Sequence, residues 1–399
     1  MNCKKMLKHL ALVLAGAMIV PAFAIADIKM GVILGFTGPI ESLTPDMGGS
    51  AEVAFKEASD SGLLLGGQKI VSVRADSTCI DNAAATAAAE RLVTAEKVAG
   101  IMGADCSGVT TAVANNVAVP NGVPMISPSA TSPALTTIAD NGYFFRTAPS
   151  DARQGQVLAS ITVERGITSV AVTYVNSDYG KGLSDSFGKA FQALGGTVTI
   201  SVPHETGKAD YSAEVASMDS AGGDAMAVFG YVNQGGPGIM QASLDSGSFD
   251  KFILADGMYG DDLLTNVEGD LTGTFGTVPG TDSKGAATYA DMANAAGLKG
   301  SGPFTGESYD AAALLILAMQ SAGSTDGAAI ASNVMGVANA PGEKIMPGEL
   351  AKGLRILANG GAVDYVGATN VELTGVGEAS GSYREFEIRN KAFQTVRFR

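Results

Sequence analysis

Short β-branched runs ending in Gly, Ser or Asp alternate with longer Ala-rich stretches along most of the chain, and this alternation leaves little choice of architecture. Strand-sized runs separated by helix-sized ones describe parallel α/β units, because two parallel strands need a crossover long enough to hold a helix. The pattern predicts strands over 28–34, 69–75, 98–103 and 124–127, with helices over 48–61, 82–96 and 108–119. It restarts near 147–151. From there helices over 153–164, 180–194, 211–221 and 237–246 alternate with strands over 169–175, 197–202, 225–229 and 251–255. Two similar lobes follow one another, and 399 residues suffice for two cores. Beyond Gly273 a helical stretch over 308–321, an Ala-rich one over 328–338 and strands near Phe386 and Val396 are too few for a third core, so they are expected to add back to the two lobes.

The first 26 residues pose a separate problem. Lys4, Lys5, Lys8 and His9 precede an apolar run over 10–20, and Ala24-Ile25-Ala26 places small residues where a signal peptidase reads them. An export leader cleaved after Ala26 is expected, with a cut after Ala24 as the competitor. Cys3 precedes the apolar run, where a lipid-anchor cysteine does not fall, so the exported chain is expected to be free in the periplasm. No later stretch is apolar for long enough to span a bilayer. A formal charge of -14, with no basic run after the leader, argues against nucleic acid or an anionic membrane as partner.

Loss of Cys3 leaves Cys79 and Cys106, an even pair in an oxidising compartment; a disulfide and two buried thiols are the two readings. His204 is the one histidine after the leader, too few for a His-rich zinc or iron centre. No metal or other cofactor is expected.

Open parallel sheets bind ligands beyond the carboxyl ends of their strands. In the first lobe those ends carry Asp105-Cys106-Ser107-Gly108 and Ser127-Pro128-Ser129-Ala130-Thr131; in the second they carry Ser177-Asp178-Tyr179-Gly180, Gly230-Tyr231 and Asp256-Gly257. Ser107 opens a helix and can hold a carboxylate with its hydroxyl and the free N–H groups there. Thr131, just before Ser132-Pro133, can offer the same anion its N–H and hydroxyl. Asp256 suits an ammonium, and Tyr179 and Tyr231 suit an aliphatic body clamped between the lobes. Together these ends describe a site for an α-amino acid.

The stretches 103–107, 123–133 (Val-Pro-Met-Ile-Ser-Pro-Ser-Ala-Thr-Ser-Pro), Phe145-Arg146 and 179–182 resemble the leucine/isoleucine/valine-binding protein group, type I periplasmic solute receptors of ABC importers. The resemblance runs over essentially the whole exported chain. It implies an α/β fold of two Rossmann-like lobes joined by three hinge crossovers: 27–148 with 275–362, and 149–274 with 363–399. It further implies that Ser107 and Thr131 bind the ligand carboxylate, that Ser129 belongs to the same loop, and that the Ala130 backbone and Asp256 bind the amine. Tyr179 and Tyr231 match aromatics of the second lobe, Phe304 matches a pocket wall, and Cys79–Cys106 matches a disulfide. Asp256 stands where the family usually has Glu, and the loop over 40–47 departs from the family at a pocket aromatic.

The implied function is a monomeric, non-enzymatic receptor that closes over a small amino acid, branched-chain type favoured, and presents it to ABC permease subunits in the inner membrane. Alternatives are a receptor for an amide, urea or aromatic acid, a ligand sensor, and more remotely a secreted hydrolase using Ser107 or Ser186 with His204. Ser186-x-x-Lys189 lies in a helix without companion motifs, and no Walker or dinucleotide fingerprint is present. The acid pairs Asp261-Asp262 and Glu307 with Asp310 lie near helix starts and read as dipole complements or solvated faces.

Overall fold

The computed structural model describes residues 26–399, so the expected leader lies, but for Ala26, outside the described residues. The first array runs β1 (Ile28–Leu34), α1 (Thr44–Ser61), β2 (Ile70–Asp76), α2 (Asn82–Glu90), β3 (Ile101–Gly103), α3 (Ser107–Val113), β4 (Met125–Ser127) and β5 (Phe144–Arg146). These strands form a parallel sheet in the order β2-β1-β3-β4-β5.

The second array runs α4 (Asp151–Glu164), β6 (Ser169–Val175), α5 (Asp178–Ala193), β7 (Thr197–His204), α6 (Ser212–Ala221), β8 (Ala225–Phe229), α7 (Gly236–Ser246), β9 (Phe252–Leu254), α8 (Asp261–Asn266) and β10 (Phe275–Pro279). The rest is α9 (Lys284–Ala295), α10 (Thr305–Ala322), α11 (Gly327–Ala338), β11 (Glu343–Ile345), α12 (Leu350–Ala358), β12 (Val363–Tyr365), β13 (Tyr383–Arg389) and β14 (Ala392–Phe398). The second sheet has the order β14-β13-β10-β9-β8-β6-β7, parallel from β7 to β10 and antiparallel at β13 and β14.

The strands buried on both faces are continuous apolar runs, as a sheet covered by helices on each side requires; every residue of β8 is buried. Helix α10 is buried along most of its length between α1 and α11 and anchors the core of the first lobe. Gly103 closes β3 with φ 128°, where a Cβ would stand 2.1 Å from the Ile33 carbonyl, so only glycine lets the chain turn there toward Ser107.

The chain passes between the sheets after β5, after β10 and after β12. Sheet membership differs from the expected lobe ranges at two places. Phe275–Pro279 pairs with β9 and β13 inside the second sheet, and Val363–Tyr365 pairs with Glu343–Ile345 beside the first lobe's helices. Helix α1 starts at Thr44 rather than 48, with Pro45 in its first turn. Glu307 and Asp310 are buried rather than solvated, because α10 turns both inward against the hinge segments. Among the described residues no helix is long and apolar enough to cross a membrane.

Candidate functional site

Each parallel array has one point where strand order reverses, β1/β3 in the first and β6/β8 in the second, and the crevice at such a point is where open α/β sheets bind ligands. The loops after β3, β6 and β8 meet across the space between the lobes. A cavity of about 30 Å³ lies there, with Ser107, Ser129 and Phe304 on the first-lobe side and Tyr179, Tyr231 and Asp256 on the second. Six of the expected ligand-binding residues therefore share one cavity. Ala130 and Thr131 do not line it; both are fully buried just behind it.

The first-lobe rim is held by saturated hydrogen bonding. Asp105 accepts from Gly35 N at 2.5 Å, Ser77 Oγ at 2.8 Å and Cys106 N at 2.9 Å, so its carboxylate ties three loops together. Cys79 and Cys106 form a disulfide beside it, with Cα atoms 5.1 Å apart. Ser107 Oγ accepts from Ser132 N at 3.0 Å, which leaves its hydroxyl proton for another acceptor. The Ala130 carbonyl already accepts from Arg146 Nη1 at 3.0 Å, with one lone pair left over.

The loop over 40–47 supplies Ile40, Leu43 and Met47 to the wall, aliphatic where an aromatic was the family expectation. It also bridges the lobes: Ser42 N and Oγ donate to Asn233 Oδ1 at 3.1 and 2.9 Å, and Asn233 N donates to Pro39 O. Phe304 faces the cavity from φ 59°, a left-handed conformation that costs a bulky residue of order 1 kcal/mol.

The second-lobe side is different. Tyr179 and Tyr231 stack on each other, 5.4 Å between centroids, as one aromatic slab rather than as two jaws of a clamp. The Tyr179 hydroxyl accepts from Gly257 N at 3.2 Å and reaches Asp256 Oδ1 at 3.4 Å. Burial pushes the Asp256 carboxyl up to about 6. Asp151 stands close by, in the first turn of α4 behind its cap Ser150. It is wholly buried, and neither carboxylate oxygen has a hydrogen-bond partner among the described residues. Burial first, then the charge of Asp256, holds its carboxyl well above the ordinary range. Thr131 Oγ1 and Gln154 Oε1 are buried and unpartnered as well.

Asp151 was not among the expected site residues. An acid in the first turn of a helix ordinarily complements the dipole, and nothing local distinguishes it from Asp178 at the start of α5. The observable signal is tertiary: two buried acids side by side, neither in an ion pair among the described residues, the nearby Arg146 being paired with Glu378.

His204 lies in the second-lobe core, its Nδ1 2.9 Å from Thr173 Oγ1, and burial lowers its ring to about 4. Ser186 Oγ donates to the Gly182 carbonyl within α5. Neither residue lines the cavity.

Two α/β lobes facing each other across a narrow crevice, linked by three crossovers, define a solute receptor of the periplasmic type. A family model described as periplasmic binding protein matches residues 27–350. Leu/Ile/Val-binding protein homolog 1 of Brucella abortus is 30% identical over 306 residues, which cover 75% of this chain and 80% of that protein. The chain belongs to the periplasmic binding protein family, in its leucine/isoleucine/valine-binding group. Its fold matches that of the branched-chain amino acid transporter substrate binding protein LivJ of Streptococcus pneumoniae, crystallised with isoleucine, at TM-score 0.76 and 22% identity over 94% of this chain and 99% of that one. A solute binding protein of an ABC transporter from Rhodopseudomonas palustris, in complex with 4-hydroxybenzoate, matches at TM-score 0.74 and 19% identity over 94% and 97%.

Proposed function

We propose that this chain is the periplasmic receptor of an ABC importer, that it captures a small amino acid of the branched-chain type by lobe closure, and that it hands the ligand to permease subunits in the inner membrane. The observation that carries the reading is the buried carboxylate of Asp256 in the wall of the cavity, with that of Asp151 buried beside it, in a cavity that also offers the Ser107 hydroxyl and mainly apolar walls. Two adjacent desolvated acids are costly unless a cation joins them. An α-ammonium at Asp256 and the Ala130 carbonyl, with a carboxylate at Ser107 and Thr131 and with Ser129 in the same loop, satisfies both charges at once. The aliphatic side chain then rests on Tyr179, Tyr231, Phe304, Leu43 and Met47.

The cavity is about 30 Å³, room for a water or two but not for leucine. Ligand entry therefore separates the lobes, and the liganded state holds them at a spacing that contacts from both sides select. The related Leu/Ile/Val-binding protein homologue supports the branched-chain assignment. A monomer, export with cleavage after Ala26, and function without catalysis complete the reading. The hydrolase alternative loses support because His204 is engaged in the second-lobe core, away from both Ser107 and Ser186.

A receptor for an aromatic acid is the second reading, favoured by the fold neighbour that holds 4-hydroxybenzoate. Such a ligand has no cation for Asp151 and Asp256. Thermal unfolding of the exported chain with leucine, isoleucine, valine, 4-hydroxybenzoate and urea separates the two, since a ligand at 100 times its Kd adds about 2.7 kcal/mol of stability. A rise with a branched-chain amino acid supports the proposal. A rise with 4-hydroxybenzoate or urea alone overturns it.

A further inference from the structure

On the hinge flank of the cleft a second cavity, of about 130 Å³, lies between the lobes. Its walls are the crossover after β10, the crossover after β12, the start of α10 and the face of β13. From the first lobe Glu307 of α10 lines it. This side chain is 5% exposed, and among the described residues its carboxylate has neither an ion pair within 4.0 Å nor a side-chain hydrogen-bond partner. From the second lobe Arg384 of β13 lines it. Its guanidinium lies over the Tyr259 ring at 4.8 Å, its Nε is buried without a partner, and among the described residues no carboxylate comes within 4.0 Å of it.

A buried carboxylate and a guanidinium sharing one cavity gain most by direct contact. Here the frames that carry them, a helix of one lobe and a strand of the other, keep them apart. Burial pushes the Glu307 carboxyl up to about 8, with Asp310 adding to the rise and Arg384 opposing it. A lone anion in the gap would leave Glu307 in its neutral, protonated form, and a lone cation would leave Arg384 without a counterion, whereas an ammonium beside Glu307 stabilises its ionised form. A molecule carrying both charges satisfies the two together. The volume is near that of an engineered protein cavity of about 150 Å³ that accepts benzene, which limits the occupant to a few heavy atoms.

We propose that the cavity between Glu307 and Arg384 is a second binding site, for a small zwitterion of glycine or alanine size, whose carboxylate meets Arg384 and whose ammonium meets Glu307. Because the two groups belong to different lobes, its occupant favours the lobe spacing that fits it. Binding there and binding in the main cleft are therefore linked, each altering the other by the same factor. This site does not depend on the identity of the cleft ligand.

Glycine is the probe, and the exported chain carrying Asp256→Ala is the protein, so that the amine end of the main cleft is disabled. Isothermal titration should find a saturable glycine site there. Glu307→Gln, added to that chain, should weaken it by about tenfold or more, and Arg384→Gln should do likewise. Acetate and methylammonium should each bind about tenfold more weakly than glycine. No saturable glycine binding, or binding indifferent to Glu307→Gln, overturns the proposal. Acetate binding as well as glycine also overturns it, in favour of an anion site. Should Asp256→Ala fail to fold, glycine titration of the unsubstituted chain against Glu307→Gln alone decides in the same way, because Glu307 does not touch the main cleft. Failure here leaves the cleft reading standing, since that is tested by leucine on the chain with Asp256 intact.

Discussion

Asp310 and Asp151 are both wholly buried aspartates near crossovers between the lobes, yet their surroundings are opposite. The Asp310 carboxylate accepts from Tyr365 OH at 2.7 Å, Ala368 N at 2.8 Å, Thr369 N at 2.8 Å and Thr369 Oγ1 at 2.7 Å. Four donors fill its acceptor sites and fasten the last crossover onto α10. No donor meets the Asp151 carboxylate in hydrogen-bond geometry among the described residues, and its neighbour Asp256 adds a second acid that the nearby Thr131 hydroxyl and the charge of Arg146 only partly offset. Burial is the same in both places, so burial does not tell a staple from a site. The count of unmet hydrogen bonds does. A saturated buried acid holds the fold, whereas an unsaturated one beside a cavity lowers stability and persists where a ligand completes it.

The sharpest way to break this contrast is to remove the staple. Asp310→Ala strands a tyrosine hydroxyl, a threonine hydroxyl and two backbone N–H groups, and should cost about 4 kcal/mol or more of stability. Denaturant unfolding measures it. A loss below about 1 kcal/mol would show that the crossover does not depend on this acid.

Asp256→Ala should act the other way round. Leucine affinity, read by isothermal titration, should fall by about 2 to 5 kcal/mol, the range for stranding one member of a desolvated charge pair, while the ligand-free protein keeps its unfolding midpoint. Asp256→Asn should lose less, since it retains an acceptor oxygen. Unchanged leucine binding in Asp256→Ala would place the amine site elsewhere.

The pH dependence sharpens the same point. Asp256 titrates at about 6 in the fold, above its ordinary carboxyl value. Its contribution to the stability of the free protein is therefore full at low pH and is lost as pH rises through about 6. Ammonium binding has the opposite sign, because it requires the ionised acid. Leucine affinity should fall by about tenfold between pH 7 and pH 5, with proton release visible as a buffer-dependent heat of binding near pH 5. A flat affinity across that window would remove the ionised acid from the site.

The smallest expected effect is on Asp151. Asp151→Asn relieves the like-charge pair and should raise the stability of the ligand-free protein by about 1 kcal/mol, seen as a higher thermal midpoint, while weakening leucine. A variant destabilised and binding normally would make Asp151 a staple like Asp310.

Much of this was legible beforehand. The order of strands and helices from β1 to β4 and from α4 to β9, and the loops carrying Ser107, Ser129, Tyr179, Tyr231 and Asp256, follow from local pattern, and those loops do meet at one cavity; the disulfide was one of two readings of an even cysteine count. β5, β10, β11 and β12 were not legible as strands, β5 being only three residues long. β11 and β12 are three residues each, and β10 carries a Gly and a terminal Pro, so none shows a clear alternation. The acids fared worst. Asp151, Glu307 and Asp310 all stand near helix starts, where an acid has a sufficient local explanation, and each proved to be buried.

What the amino-acid sequence by itself determined is whatever a short window encodes: the period of each strand and helix, the Gly and Ser residues that end them, and hence two parallel sheets whose strand ends bear the polar loops. What only the tertiary structure decided is which polar groups end with partners and which without. Asp151 meets Asp256 across 105 residues of chain and Glu307 faces Arg384 across 77. Hydrogen-bond satisfaction is a property of all the elements packed around a group, and no window of sequence contains them.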